Sequence, residues 1–254
     1  MTTSLRDLQE RGFGATLRRD AWWIQPVITA IVLGSFGIYA TWAAWVGTNY
    51  EWGPYLSPFY SPLIQTRWWP LSPAFLILIF PLGFRMTCYY YRKAYYRSFF
   101  LDPVACGVGE PRHGYRGETK FPFILQNMHR FFMYAAVIFI FILGYDVILA
   151  MRWPASGGGH QFGIGTGTLM MALNVILLAS YTFGCHSLRH LIGGKVDCFS
   201  CARGGQARFR LWRGVSALNR HHQLWAWCSL FSVALTDVYI RLCAMGVIHD
   251  IRIL

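Results

Sequence analysis

The stretch Phe123–Ala150, FILQNMHRFFMYAAVIFIFILGYDVILA, decides the fold. From Phe131 to Tyr145 it carries no charged residue. A bilayer core about 30 Å thick needs about 20 mostly apolar residues in helical form, so this stretch reads as a membrane span. Four more segments read the same way: roughly Trp22–Val46, Pro73–Tyr91, Gly165–Leu188 and Leu224–Val247, the last with a helical entry from Ser216. The expectation is an all-α polytopic membrane bundle of five transmembrane helices. An N-terminal cytoplasmic segment, 1–21, precedes a membrane domain over 22–254.

Composition supports this class. Hydrophobic residues make up 55% of the 254 and charged residues 13%, against about 25% charged in a soluble domain. The 11 Trp, 14 Tyr and 19 Phe give an aromatic excess of the kind found at membrane interfaces. The formal charge of +12 does not point to nucleic acid, because the basic residues flank apolar segments. Seven Cys, an odd number concentrated near one side, argue against a disulfide framework. The first twenty residues are polar and lack a signal-type apolar core. The sequence contains no internal repeat.

Charge asymmetry orients the bundle. With the N-terminus inside, 18 of the 23 Lys and Arg fall on inner segments. These are Arg6, Arg11, Arg18 and Arg19; the run from Arg92 to Arg130; and the run from Arg189 to Arg220. Arg67, Arg152, Arg241 and Arg252 fall outside, and Arg85 lies within the second span. The positive-inside rule then places the C-terminus outside. Trp42, Trp45, Trp52, Trp68 and Trp69 form an outer aromatic cluster. The flexible outer turn Ser156–Gly159 joins the third and fourth spans. The basic inner loops are suited to docking a soluble partner or to holding anionic lipid.

Cys88, His129, Cys185 and His222 lie at matching depths, near the inner ends of the last four spans. Cys88 and Cys185 each precede an Arg by four residues, Arg92 and Arg189, so both thiols sit about 6 Å from that interfacial marker. His129 precedes Arg130, and His222 follows Arg220. Polar groups inside a bilayer are costly and mark function by default. Two thiolates and two imidazoles suit structural zinc or a Rieske-type [2Fe-2S] centre. A redox centre has the better reason to be in an already stable bundle.

Blander readings exist for each residue. A lone membrane Cys ordinarily packs as a small apolar group. His221, His186 and His190 compete with His222, and His186 and His190 share a helical face at i, i+4. Cys198-Phe199-Ser200-Cys201 is a single C-x-x-C, weak as a metal motif. Cys106 lies in a loop, and Cys228 and Cys243 lie deeper as packing residues. The same histidines suit one haem b, for instance His129 with His186 or His222. Two haems lack an outer His pair.

Arg85 lies one turn deeper than Cys88, where it suits a quinone carbonyl or a reduced cofactor; its ordinary role is snorkelling or pairing with a carbonyl. A quinone head group needs a flat apolar slot with a donor or two. Tyr89, in the run with Tyr90, Tyr91, Tyr95 and Tyr96, and Trp22 and Trp23 offer such surfaces. Asp237 and Arg241, at i, i+4, are expected to pair. Arg85, Asp146 and Asp237 are too few, and at different levels, to line a transport path.

The stretches RMTCYYYRKAYYRSFF (85–100), FPFILQNMHRFFMY (121–134) and FGCHSLRHLIGG (183–194) resemble the membrane-anchor subunit of actinobacterial succinate dehydrogenases, respiratory complex II. The resemblance runs from the first span to the fifth. It implies a five-helix anchor in the bacterial inner membrane, carrying a flavoprotein subunit and an iron–sulfur subunit on its cytoplasmic face and delivering electrons to menaquinone. It also implies a haem-less branch with a Rieske-type [2Fe-2S] centre within the membrane. It does not name the ligands, which rest on the depth argument, and it leaves a higher oligomer open. No glycine fingerprint for a dinucleotide precedes a helix here, so succinate oxidation belongs to a partner.

Overall fold

The computed structural model describes residues 12–111, 119–121, 123–155, 157–194 and 196–254. Of the residues weighed above, Arg6, Arg11, Arg112, Arg116, Ser156 and Lys195 lie outside that set. The helices in chain order are α1 (Ile24–Val46), α2 (Ala74–Met86), α3 (Tyr89–Tyr95), α4 (His129–Leu149), α5 (Thr166–Phe183), α6 (His186–Gly193), α7 (Gly205–Arg220) and α8 (His222–Ala244). Among the described residues α1, α4 with the turn before it, α5 and α8 are long and apolar enough to cross a bilayer.

The second span departs from the expectation of one helix over Pro73–Tyr91. The chain breaks at Thr87–Cys88, and α2 and α3 form a bent pair that makes a fifth crossing only if taken together. The fourth segment likewise ends at Phe183, breaks at Gly184–Cys185 and resumes as α6. The entry to the last span is a separate helix, α7, ending one residue before α8 begins.

The chain divides into two compact units. One comprises residues 1–39 and 85–128. In it the N-terminal strand-like segment pairs with the loop after α3: Gly14 N–H donates to the Gly109 carbonyl at 3.0 Å, and the Thr16 hydroxyl to the Gly107 carbonyl at 2.7 Å. Arg18 donates to the Cys106 carbonyl at 3.0 Å, which holds that loop cysteine at the surface.

The other unit comprises residues 40–84 and 129–254. Here α5 packs along both α4 and α8. A Cβ on Gly83 would stand 2.3 Å from the Phe132 ring, so only glycine lets α2 and α4 approach at that level. Two short hairpins, Glu51–Trp52 with Tyr55–Leu56 and Arg152–Pro154 with His160–Phe162, close one end. Under them Tyr55, Ala150, Met171 and Ile240 form a buried cluster, flanked by Trp52, Val147 and Trp153.

The buried carboxylates and the buried guanidinium at that end are paired. The expected Asp237–Arg241 ion pair is present at 2.8 Å and is buried on both sides, 0% and 3% exposed. Arg241 also donates to the carbonyls of Ala43 at 2.8 Å and Thr48 at 2.7 Å, at the C-terminus of α1. A guanidinium there satisfies terminal carbonyls and meets the negative end of the helix dipole. Ser57 donates to Asp237 and Ser61 to Asp146. Burial of a charge is sustained only by this kind of complete pairing.

Candidate functional site

The opposite end of the second unit holds the candidate site. Chain direction alone brings its residues to one level. Helices α4 and α8 leave this end, starting at His129 and His222, whereas α2 and α5 arrive here, with Phe84 and Tyr181 in their last turns. His129 Nε2 stands 3.1 Å from Cys185 Sγ. The His129 imidazole lies flat on Phe84, with centroids 4.9 Å apart and planes 7° apart. His222 lies flat on Tyr181 at 4.9 Å and 21°, and Phe84 meets Tyr181 at 5.2 Å. The two imidazoles are thus joined through two aromatic rings.

Cys185 is 1% exposed and His222 2% exposed. Both positions depend on the break at Gly184. A Cβ there would lie 2.7 Å from the Ser180 carbonyl oxygen and 3.3 Å from His222 Nδ1. Asn219 on α7 donates to the Gly184 carbonyl at 2.8 Å and ties the break to the approach of α8.

Cys88, in the first unit and 2% exposed, occupies the same local device. It caps α3 with φ −69° and ψ 132°, and Cys185 caps α6 with φ −65° and ψ 137°. Each cysteine N–H closes a turn on the residue three before it, Arg85 at 3.1 Å and Thr182 at 3.2 Å. Each cysteine carbonyl accepts the first bond of the new helix, from Arg92 at 2.8 Å and from Arg189 at 3.0 Å. The cap carbonyl starts the next helix while the extended cap backbone redirects the chain. Both thiols are therefore held at the same point of a helix break.

His186, His190 and His221 are exposed, and His190 Nδ1 lies 3.3 Å from an Arg130 guanidinium nitrogen. Cys198 and Cys201 are bonded to each other as a disulfide, a pairing that the odd cysteine count did not anticipate. Arg85 donates to the Tyr91 hydroxyl, and its guanidinium lies 5.4 Å from the centre of the Tyr91 ring. Tyr89 is 62% exposed and stacks under Arg92 at 5.2 Å; Trp23 is 53% exposed and Trp22 half-buried.

Sequence reasoning missed Phe84 and Tyr181. A signal for both was present: each lies four residues before its cysteine, as Arg92 and Arg189 lie four after, in an aromatic-x3-Cys-x3-Arg pattern. It also missed Tyr91 as the partner of Arg85.

As to metal chemistry, among the described residues no three His, Cys, Asp or Glu side chains converge closely enough to hold an ion. The donors present are a thiol–imidazole pair, His129 with Cys185, a second buried imidazole and a second buried thiol. By donor type the second unit's own set, one thiol and two imidazoles, suits mixed thiolate and imidazole ligation.

A model of the actinobacterial succinate dehydrogenase subunit SdhC matches residues 24–246. The chain belongs to that family. It is a membrane-anchor subunit of succinate dehydrogenase, a multi-pass protein of the bacterial inner membrane. The solved Mycobacterium smegmatis Sdh1 complex in the apo form contains a chain 46% identical to this SdhC. The match covers 94% of each chain with a TM-score of 0.84. No curated protein matches the sequence. The match spans all the candidate site residues except Trp22 and Trp23.

Proposed function

We propose that this SdhC passes electrons from a cytoplasmic iron–sulfur subunit to menaquinone, and that Cys88, Cys185, His129 and His222 hold a Rieske-type [2Fe-2S] cluster on that route. The flavoprotein and iron–sulfur subunits supply succinate oxidation and dock on the cytoplasmic face. The single observation that carries the ligand assignment is the buried His129–Cys185 contact at 3.1 Å. The matching caps at Cys88 and Cys185 support it. A bound cluster supplies a one-electron relay. The cysteines supply thiolates from fixed helix breaks, and the histidines supply neutral imidazoles held flat by Phe84 and Tyr181. With a cluster bound, the His129 imidazole and the Cys185 thiolate would each hold it in place of their direct contact.

The same rings weigh against haem b between His129 and His222. A porphyrin needs a flat open slot between its axial imidazoles, and Phe84 and Tyr181 fill that space. On the quinone side, Arg85 would donate to a carbonyl oxygen, its guanidinium positioned by the Tyr91 hydroxyl that it also meets. Trp22, Trp23 and Tyr89 provide flat apolar surface for the ring. Reduction to the quinol takes two electrons and two protons, so donors at the carbonyls orient the head group and stabilise developing negative charge.

The test is electron paramagnetic resonance of the purified, dithionite-reduced complex, with an optical spectrum of the same sample. The expected result is a Rieske-type signal beyond the partner's clusters and no haem band, with that signal lost in His129→Ala/His222→Ala while the subunits still co-purify. A haem band without that signal, or unchanged quinone reduction in the double variant, overturns the assignment.

A further inference from the structure

Helix α7 lies outside the electron route, yet it carries a concentrated charge. Arg210, Arg213 and Arg220 fall on one face, at the i, i+3 and i+10 spacings of a helix, with Ser216 beside them. Arg189 of α6 joins them across a cavity of about 700 Å³. The walls are fixed. Arg189 donates to the Ser216 hydroxyl at 3.0 Å and lies 5.2 Å from the centre of the Trp212 ring. Trp212 in turn packs so closely on Gly193 that a Cβ there would stand 2.2 Å from it. Between Phe183 and Thr236 the only acidic residue is Asp197, so four guanidiniums share one cavity with no carboxylate in its lining.

The position of the cavity selects the ligand. Helix α7 ends at Arg220, one residue before the span α8 begins. It is amphipathic: Val215 is buried against the protein, whereas Leu211 is 62% exposed and Phe209 40% exposed. A basic helix with exposed apolar residues beside a span lies at head-group depth. We propose that the cavity between α6 and α7 binds the phosphate of an anionic phospholipid head group. Guanidiniums take phosphate oxygens in bidentate fashion, and Trp212 in the lining gives apolar surface at the start of the acyl chains. The inference is independent of the cluster and quinone assignments.

The test uses the assembled complex in nanodiscs of phosphatidylcholine with a minor fraction of phosphatidylglycerol, and counts co-purifying lipid by native mass spectrometry. Wild type is expected to retain phosphatidylglycerol over phosphatidylcholine. Arg210→Gln/Arg213→Gln is expected to reduce that retention about thirtyfold, at roughly fivefold per guanidinium. Arg210→Lys/Arg213→Lys keeps the charge and is expected to recover most of it, which separates lost charge from lost fold. No preference in wild type, or the same retention in the Gln variant, overturns the proposal. Displacement of the lipid by millimolar inorganic phosphate reassigns the cavity to a free anion. Loss of the iron–sulfur subunit from the Gln variant reassigns it to subunit docking.

Discussion

His129 Nε2 and Cys185 Sγ meet at 3.1 Å across 56 positions of sequence, at the point where α4 starts and the chain after α5 breaks. The contact needs both the break at Gly184 and the antiparallel run of α4 and α5. It joins a base and a thiol in a buried setting, where an unsatisfied polar group costs about 1–3 kcal/mol.

Replacing Gly184 by Val is therefore expected to disturb the site without touching a proposed ligand. The added side chain meets the Ser180 carbonyl and the His222 ring. Quinone reduction by the purified complex should fall at least tenfold with little change in subunit composition. Activity equal to wild type would show that the break has room to spare.

The Asp237–Arg241 pair is a stability element. Arg241→Met leaves the Asp237 carboxylate buried, with its Ser57 hydrogen bond but no cation, and loses two carbonyl contacts. Breaking a buried pair in this way costs about 3–5 kcal/mol. The double variant Asp237→Leu/Arg241→Met should lose less than the sum of the single changes. Thermal unfolding of the detergent-solubilised complex, analysed as a double-mutant cycle, measures the coupling.

Gly83 tests helix approach. Gly83→Ala forces a methyl into the Phe132 ring and is expected to destabilise by about 1–3 kcal/mol. Phe132→Leu should recover part of that loss in the same background. Simple additivity of the two changes in thermal unfolding would mean that α2 and α4 do not press on each other there.

Tyr55 gives a pH signature. Its hydroxyl donates to Asp250 at 2.7 Å, and its pKa is raised, first by burial and further by the neighbouring Asp250 carboxylate. A raised folded pKa means that its stabilisation is fully present below the ordinary tyrosine value of 10.0 and is lost as pH climbs through the higher folded value. Tyr55→Phe removes a hydrogen bond worth about 1 kcal/mol at neutral pH. The gap between the two proteins should narrow above pH 10 in thermal unfolding. A constant gap across that range would remove Tyr55 as the titrating group.

Much was legible in the sequence because a bilayer imposes a one-dimensional rule. A long apolar run must become a helix, since only a helix satisfies its own backbone in lipid. Hydropathy therefore located α1, α4, α5 and α8, and the depth argument singled out four ligand candidates, of which His129 and Cys185 meet. The i, i+4 pairing of Asp237 with Arg241 was legible too, because it is local to one helix.

Tertiary structure decided the rest. A hydropathy window averages over a break, so Thr87–Cys88 and Gly184–Cys185 read as continuous helix, although both cysteines prove to be caps at which the chain turns. The stacking of Phe84 on His129 and Tyr181 on His222, and the bonds from Tyr55 to Asp250 and Ser57 to Asp237, join distant positions. No periodicity within a segment encodes them. Sequence indicates which residues share a level along one unbroken helix, because rise per residue is constant there. It does not fix which residues touch at that depth, because that depends on how helices rotate and pack side by side.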